Sequence, residues 1–276
     1  MDRRILAVYA IAAASTFHPV PGRAECEVSS GPKTGALVEL YTSEGCSSCP
    51  PADRLLSHLR EALDPAADVV PLALHVSYWD YIGWKDPFAQ VGFGVRQKHL
   101  AEANRLRTVY TPQFFVGGSD FRSSGRALRD EVRRVNGTAA TASIQLKAAS
   151  SQKGVLALSA EATAQAGAGP AALYLAVAEN GLVSKVARGE NGGATLLHDH
   201  VVRAWIGPIP LTGGSARMRR EIELPPAWNR ARLEVAAFVQ DESTGKVLQA
   251  IAALHCTGSP DPIVAAPQLS QPLEEP

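Results

Sequence analysis

Hydrophobic and polar positions along the chain fall into two textures. The first opens with a short apolar run at 36–41, interrupted only by Glu39, which reads as a buried strand. Gly45 punctuates its end, and Pro50 and Pro51 fit only the first turn of a helix that carries Leu55, Leu56, Leu59 and Leu63 on one face. Residues 69–76 predict a second buried strand, with Pro71 near its start. Tyr78, Trp79, Tyr81 and Trp84 follow at spacings too irregular for a strand and predict an aromatic-rich loop. Asp86 then reads as an N-cap, with Pro87 at the first helical position of a helix running to about Arg105, and Arg96, Lys98 and Glu102 on its wet side. An apolar strand around 113–116 turns at Gly117-Gly118 into Ser119, Asp120 and Phe121 as a hairpin. Ser123 or Ser124 caps a last helix with Ala127, Leu128, Val132 and Val135 inward, so the order is β-α-β-α-β-β-α.

From about Ala139 the texture changes to short strand-like runs near 143–147, 155–159, 171–178, 200–205 and 232–240. Glycine-rich turns separate them, among them Gly167 with Gly169, Gly192-Gly193 and Gly213-Gly214. This pattern predicts an antiparallel β-sandwich over 140–256. The proline-rich stretch 257–276 is predicted to be disordered.

Length changes the picture first, because 276 residues exceed a usual single domain and predict two. Hydrophobic content of 46%, charged content of 20% and a formal net charge of zero describe an ordinary globular protein. No basic stripe with interleaved aromatics is present, so no nucleic-acid partner is expected. Asp2-Arg3-Arg4 precedes about ten apolar residues, too few to span a bilayer but suited to a signal-peptide core. With Gly22-Arg23-Ala24 as a cleavage region, residues 1–24 read as a signal peptide. The mature protein is then expected to be periplasmic or secreted, without a membrane anchor.

The chemistry gathers at Cys46-Ser47-Ser48-Cys49, between the first strand and its helix. Both sulfurs lie at or before a helix N-terminus, where the dipole and free N–H groups favour a thiolate. That spacing lets the second thiol attack a mixed disulfide made by the first, and Cys46 is expected to be nearer solvent. A permanent disulfide and half of a zinc site are the other readings of such a pair, although no second Cys-x-x-Cys exists to complete the latter. In an exporting compartment, which permits disulfides, Cys26 and Cys256 remain as a structural pair flanking the folded region. His198 and His200, two apart, could share a strand face, but no third ligand is evident and a loop edge is the plainer reading. His75, Tyr78, Trp79 and Trp84 form a candidate substrate groove, with packing an equal explanation for the aromatics and a core hydrogen bond for His75. No metal or cofactor is called for, and neither a phosphate-binding glycine loop nor a Gly-x-Ser-x-Gly element occurs.

With Cys-x-x-Cys after the first strand and Thr111-Pro112 before the third, the first half resembles the thioredoxin fold. The fold class expected is an α/β thioredoxin-like domain at 33–138 followed by the β-sandwich. Residues 38–53, 75–88, Arg96-Gln97 and 110–113 further resemble an exported proteobacterial group, the domain-of-unknown-function 1223 family. The thioredoxin likeness implies Cys46 as exchanging sulfur, Cys49 as resolving sulfur, and Thr111 and Pro112 against the pair, with a cis bond between them. The expected activity is thiol–disulfide exchange, with thiols or disulfides of exported proteins and a further redox protein as partners. A non-catalytic binding protein, holding a partner or Cu(I), is the alternative. Gly45 and Pro50 stand where thioredoxins carry tryptophan and lysine, so thioredoxin's own reductase role does not carry over.

Overall fold

The computed structural model describes residues 24–254 except 124, 152–153 and 168. The signal peptide, the tail, Cys256 and the Ser124 cap therefore lie outside the described residues, apart from Ala24. In chain order the elements are β1 (Ala24–Ser29), β2 (Ala36–Thr42), α1 (Cys49–Ser57), β3 (Val69–His75), α2 (Val91–Ala103), β4 (Gln113–Val116), β5 (Ser119–Phe121) and α3 (Gly125–Asn136). Then come β6 (Ala142–Ser150), β7 (Val155–Ala164), β8 (Ala171–Glu179), β9 (Leu182–Lys185), β10 (Thr195–His198), β11 (Val201–Pro210), β12 (Ser215–Glu223), β13 (Leu233–Asp241) and β14 (Val247–Leu254). The molecule is mostly β, arranged in several sheets, and no helix among the described residues is long and apolar enough to cross a membrane.

Burial explains the strand patterns. β6 and β7 alternate buried and wetter positions, as a sheet with one wet face requires, whereas β8 is buried along its whole length. Strands β1, β6, β7 and β12 make a four-stranded layer. Its Ile144, Leu146, Leu156 and Leu158 pack on Leu173, Leu175 and Val177 of β8 and on Val235 and Val239 of β13. The other faces of β8 and β13 present Tyr174, Ala176 and Phe238 to a second core with Phe93 and Leu100 of α2. A third core joins Val38 and Leu40 of β2 to Leu56 of α1 and Leu128 and Val132 of α3.

The two textures do not give two separate sheets. One eight-stranded sheet runs β14-β13-β8-β11-β3-β2-β4-β5, through the boundary expected near 139. The joint is narrow: β11 meets β3 in parallel through Val201 and Ala73, and Ala73 N–H donates to the His200 carbonyl at 2.8 Å. An open edge at β3 would leave main-chain donors without partners, and β11 supplies them. β1 also crosses the expected boundary, pairing with β6 along its full length.

Two sequence expectations for α2 are corrected. The helix starts at Val91 rather than Pro87: Asp86 caps only a single turn, accepting the Phe88 N–H on its carboxylate and the Ala89 N–H on its carbonyl, while the same buried carboxylate also takes the Glu44 N–H. Arg96 is not on a wet face. It is buried, donates twice to Glu39 of β2 at 2.6 and 3.0 Å, and donates to Gln240 of β13 at 3.1 Å. Its guanidinium also lies over the rings of Tyr174, Trp205 and Phe238, so a charge read as solvated ties the two halves together.

Candidate functional site

The Cys-x-x-Cys turn is closed as a disulfide, with Cα atoms 5.4 Å apart, and no cysteine among the described residues is a free thiol. Successive turn bonds, Cys46 N–H to the Ser43 carbonyl and Cys49 N–H to the Cys46 carbonyl, set the loop. Pro50 and Pro51 then occupy the first turn of α1. Ser48, the N-cap, makes no side-chain cap; its hydroxyl instead lies 3.4 Å from Cys46 Sγ, which as a disulfide sulfur can only accept. No acidic residue stands in the first turn, so the positive end of the helix dipole faces the sulfurs unopposed from that turn. Cys46 is 1% exposed and Cys49 0%, so the expectation of a Cys46 nearer to solvent is corrected: both sulfurs are sealed. Ser47 and Ser48, between them, are exposed.

Behind the disulfide lies a buried polar cluster drawn from five segments. His75, at the end of β3, puts Nδ1 2.7 Å from Asp86 Oδ2. Glu44 accepts from Trp84 Nε1 at 2.7 Å and meets His198 Nε2, at the end of β10, at 3.1 Å. The rings of His75 and His198 pack edge to face with centroids 5.0 Å apart. Asp53, one helical turn beyond Cys49 on α1, completes the group, and all of these residues except the half-buried Trp84 are buried. Burial pushes the Asp53 carboxyl up, against smaller opposing pulls from His75 and His198. Burial would lower His75, but the Asp86 carboxylate, with Asp53 and Glu44, holds it above the ordinary imidazole value. Burial would raise Asp86, but His75 and the N–H groups of Glu44 and Phe88 hold it below the usual carboxylate range. Thr42 Oγ1, Asp53 Oδ1 and His75 Nε2 have no hydrogen-bond partner within the protein.

In front of the disulfide, a surface groove of about 540 Å³ is lined by Ser48, Pro51, Leu55, Tyr110, Pro112 and Phe114 among others. The Thr111–Pro112 peptide is cis, as expected from the sequence, and the Thr111 hydroxyl accepts from Trp79 Nε1 at 2.6 Å. The loop at 186–194, between β9 and β10, reaches the same turn. Its Glu190 carboxylate accepts the Ser47 N–H at 2.9 Å, and the Asn191 amide donates to the carbonyls of Glu44 and Cys46 at 2.9 and 3.0 Å. Gly189, with φ +78°, has Ile82 and Trp84 directly against it, and Ile82 also lies against Gly45.

Residues 37–240 match the family described as a protein of unknown function, DUF1223. The chain belongs to the DUF1223 family. Two solved structures share the DUF1223 chain's fold. One is HBP35 of Porphyromonas gingivalis, at TM-score 0.64 and 20% identity over 88% of this chain and 82% of that one. The other is protein AGR_C_4864 from Agrobacterium tumefaciens, at TM-score 0.60 and 22% identity over 84% of this chain and 99% of that one. No curated protein sequence matches.

In this DUF1223 chain the structure brings Cys46, Cys49, Pro112 and the aromatic segment together, but not in the roles all were expected to hold. His75 is fully buried and committed to Asp86, so it cannot line a groove. Trp79 and Trp84 spend their N–H groups on Thr111 and Glu44, and Tyr78 donates to Gln97 at 3.1 Å, so of the candidate groove they act as braces. Gln97 in turn donates to the Tyr110 carbonyl at 2.8 Å, which fixes the segment leading to Pro112. His198 and His200 diverge, His198 to Glu44 and His200 Nδ1 to Glu234, and no set of three metal-ligating residues is found among the described residues. Cys26 sits on β1 opposite Ala148, with Sγ 3.6 Å from the Leu254 carbonyl; its expected partner Cys256 is outside the described residues. Sequence reasoning missed Asp53, Glu190 and Asn191. Asp53 stands at i+4 from Cys49, a spacing that could have marked it, while Glu190-Asn191 in a glycine-bracketed turn looks like any surface loop.

Proposed function

We propose that this protein is a thiol–disulfide oxidoreductase of other exported proteins, working from a thioredoxin-like unit built on β2, α1, β3, α2, β4, β5 and α3. One observation carries the reading. A closed Cys46–Cys49 disulfide stands at a helix start, and Ser48 of that same turn lines one groove with Pro112 of the cis Thr111–Pro112 bond, where a partner's extended backbone can lie next to the turn. In the reducing direction the Cys46 thiolate attacks a partner disulfide, forms a mixed disulfide and expels one partner thiolate. Cys49 then attacks Cys46 Sγ, closes the ring and releases the second partner thiolate, so two electrons pass to the partner and two protons follow. The oxidising direction is the same path reversed. Asp53, one helical turn along α1 from Cys49 and buried, is the group we assign to exchange a proton with Cys49.

A second reading is favoured by the burial of both sulfurs: a permanently oxidised staple in a binding protein. The reduction potential separates the two. An exchanging couple should lie above about −300 mV, whereas a structural disulfide lies below it. The Cys49→Ser variant, incubated with a protein disulfide such as insulin, should accumulate a dithiothreitol-sensitive adduct through Cys46. A potential below that mark together with no adduct would overturn the oxidoreductase reading.

A further inference from the structure

We propose that residues 186–194 form a strap that closes the Cys46–Cys49 site and must lift before any partner reaches a sulfur. This rests on the oxidoreductase reading for its purpose, but not for its test. The sulfurs are 1% and 0% exposed although the two serines between them face solvent, so a partner cannot dock onto the closed form. The strap holds the site by three hydrogen bonds to backbone atoms of the redox turn alone, from Glu190 to Ser47 and from Asn191 to Glu44 and Cys46. Gly189 also packs against Ile82 and Trp84, where close approach favours a residue without Cβ, and Val186 at the strap's base is buried.

The strap is also built to move as a unit. Its own bonds, Gly193 N–H to the Val186 carbonyl and Val186 N–H to the Ala194 carbonyl, at 2.8 and 2.9 Å, stay intact if it lifts. It joins β9 and β10, which pair with each other and belong to neither large sheet, and whose buried Ser184, Leu196 and His198 form the anchor about which the strap lifts. The bonds that must break are few and one is exposed, because Glu190 is at the surface. Segments with few buried contacts open locally at a fraction of the cost of global unfolding.

The geometry also explains a division of labour in the chain. The second half supplies the strap and His198, so the site is complete only when residues 186–198 are seated on the first half. Exchange would therefore follow strap opening, and a protein that engages the strap would control access to the disulfide.

The test measures reduction of the oxidised full-length protein by dithiothreitol, with and without the strap's bonds. Glu190→Ala and Asn191→Ala should each speed reduction by roughly tenfold, the effect of losing one or two hydrogen bonds, with the thermal midpoint little changed. Wild-type and variant rates that agree within about twofold would overturn the proposal. If a variant fails to fold, amide exchange in the unmodified protein decides: the Ser47 N–H should exchange well before those of β2. Exchange of Ser47 only together with the β2 amides would overturn it. A potential below the staple limit and no Cys49→Ser adduct, with a strap that still gates reduction, would leave this inference standing and remove the oxidoreductase reading instead.

Discussion

Two buried charge clusters sit on opposite faces of the same strand. Along β2, side chains alternate, so Glu39 points toward α2 and Thr42 toward α1. On the α2 face, Glu39 receives two guanidinium N–H groups from Arg96 and the Tyr41 hydroxyl at 3.2 Å, and Arg96 is further covered by three aromatic rings. On the α1 face, the cluster of Asp53, His75, Asp86, Glu44 and His198 leaves Asp53 Oδ1 and His75 Nε2 without hydrogen-bond partners, and the neighbouring Thr42 Oγ1 as well. Both are buried, but the first is close to fully satisfied and the second is not. A saturated network holds one arrangement and resists change. An incompletely satisfied one, directly behind a disulfide, can accept or give a proton when that disulfide opens. The difference separates a lock from a cluster that, on the proposed reading, would serve the disulfide.

Breaking the lock should have the largest effect. Arg96→Ala strands a buried carboxylate and is expected to cost about 3–5 kcal/mol in urea unfolding. A loss under about 1 kcal/mol would show that Glu39 finds other partners, and the contrast between the faces would fail. Next comes the second cysteine pair. If Cys26 is joined to Cys256, replacing both by serine should cost roughly 2–5 kcal/mol while leaving the rate of Cys46–Cys49 reduction unchanged. Disulfide mapping of the mature chain checks the linkage directly, and free thiols at both positions would refute it.

The pH dependence sharpens the comparison, because satisfied and unsatisfied carboxylates have opposite signs. Burial would raise Glu234, but the His200 and Arg60 side chains bonded to it bring its carboxyl down to about 2. Its contribution is therefore present above its ordinary value of 4.5 and lost as pH falls toward 2. Glu234→Gln should flatten the acid limb of the stability profile by about 1–3 kcal/mol, read by denaturation from pH 6 to pH 2, roughly the range of that shift. Asp53 runs the other way. Its raised value means that stability present at low pH is lost as pH rises through the folded-state value. Asp53→Asn should thus be the mildest change to stability, within about 1 kcal/mol of wild type and toward greater stability at neutral pH. It should still slow attack by Cys49 if Asp53 takes that proton. An Asp53→Asn protein with unchanged exchange kinetics would make the second cluster as inert as the first.

Much of the first half was legible because its signals are local. The apolar runs at β2, β3 and β4, the proline-marked start of α1 and the Gly117-Gly118 hairpin are all set by side-chain pattern and turn chemistry within a few residues. Cys46 and Cys49 could be picked out for the same reason, since spacing alone brings two sulfurs within bonding reach. Arg96 and Asp86 were misread where a local rule met a distant partner. Arg96 falls at a helical position that looks wet until Tyr174, Trp205 and Phe238 arrive from β8, β11 and β13. Asp86 looks like the cap of a long helix, but it caps one turn and shares its carboxylate with His75.

The sequence by itself determined the strands and helices of the first half to within the start of α2, most long strands of the second, the paired cysteines and the family. It did so through periodicities of two and 3.6 residues, which each segment carries whatever its neighbours do. Only the tertiary structure decided that β11 closes the edge of β3, that Glu190 and Asn191 lie over the disulfide, and that His198 and His200 turn to different carboxylates. These are contacts between residues separated by 128 positions, 143, 145, 154 and 34, counting Val201 to Ala73 as 201 − 73 = 128. They depend on which surfaces remain unpaired once the local elements have formed, and no window of sequence contains that information.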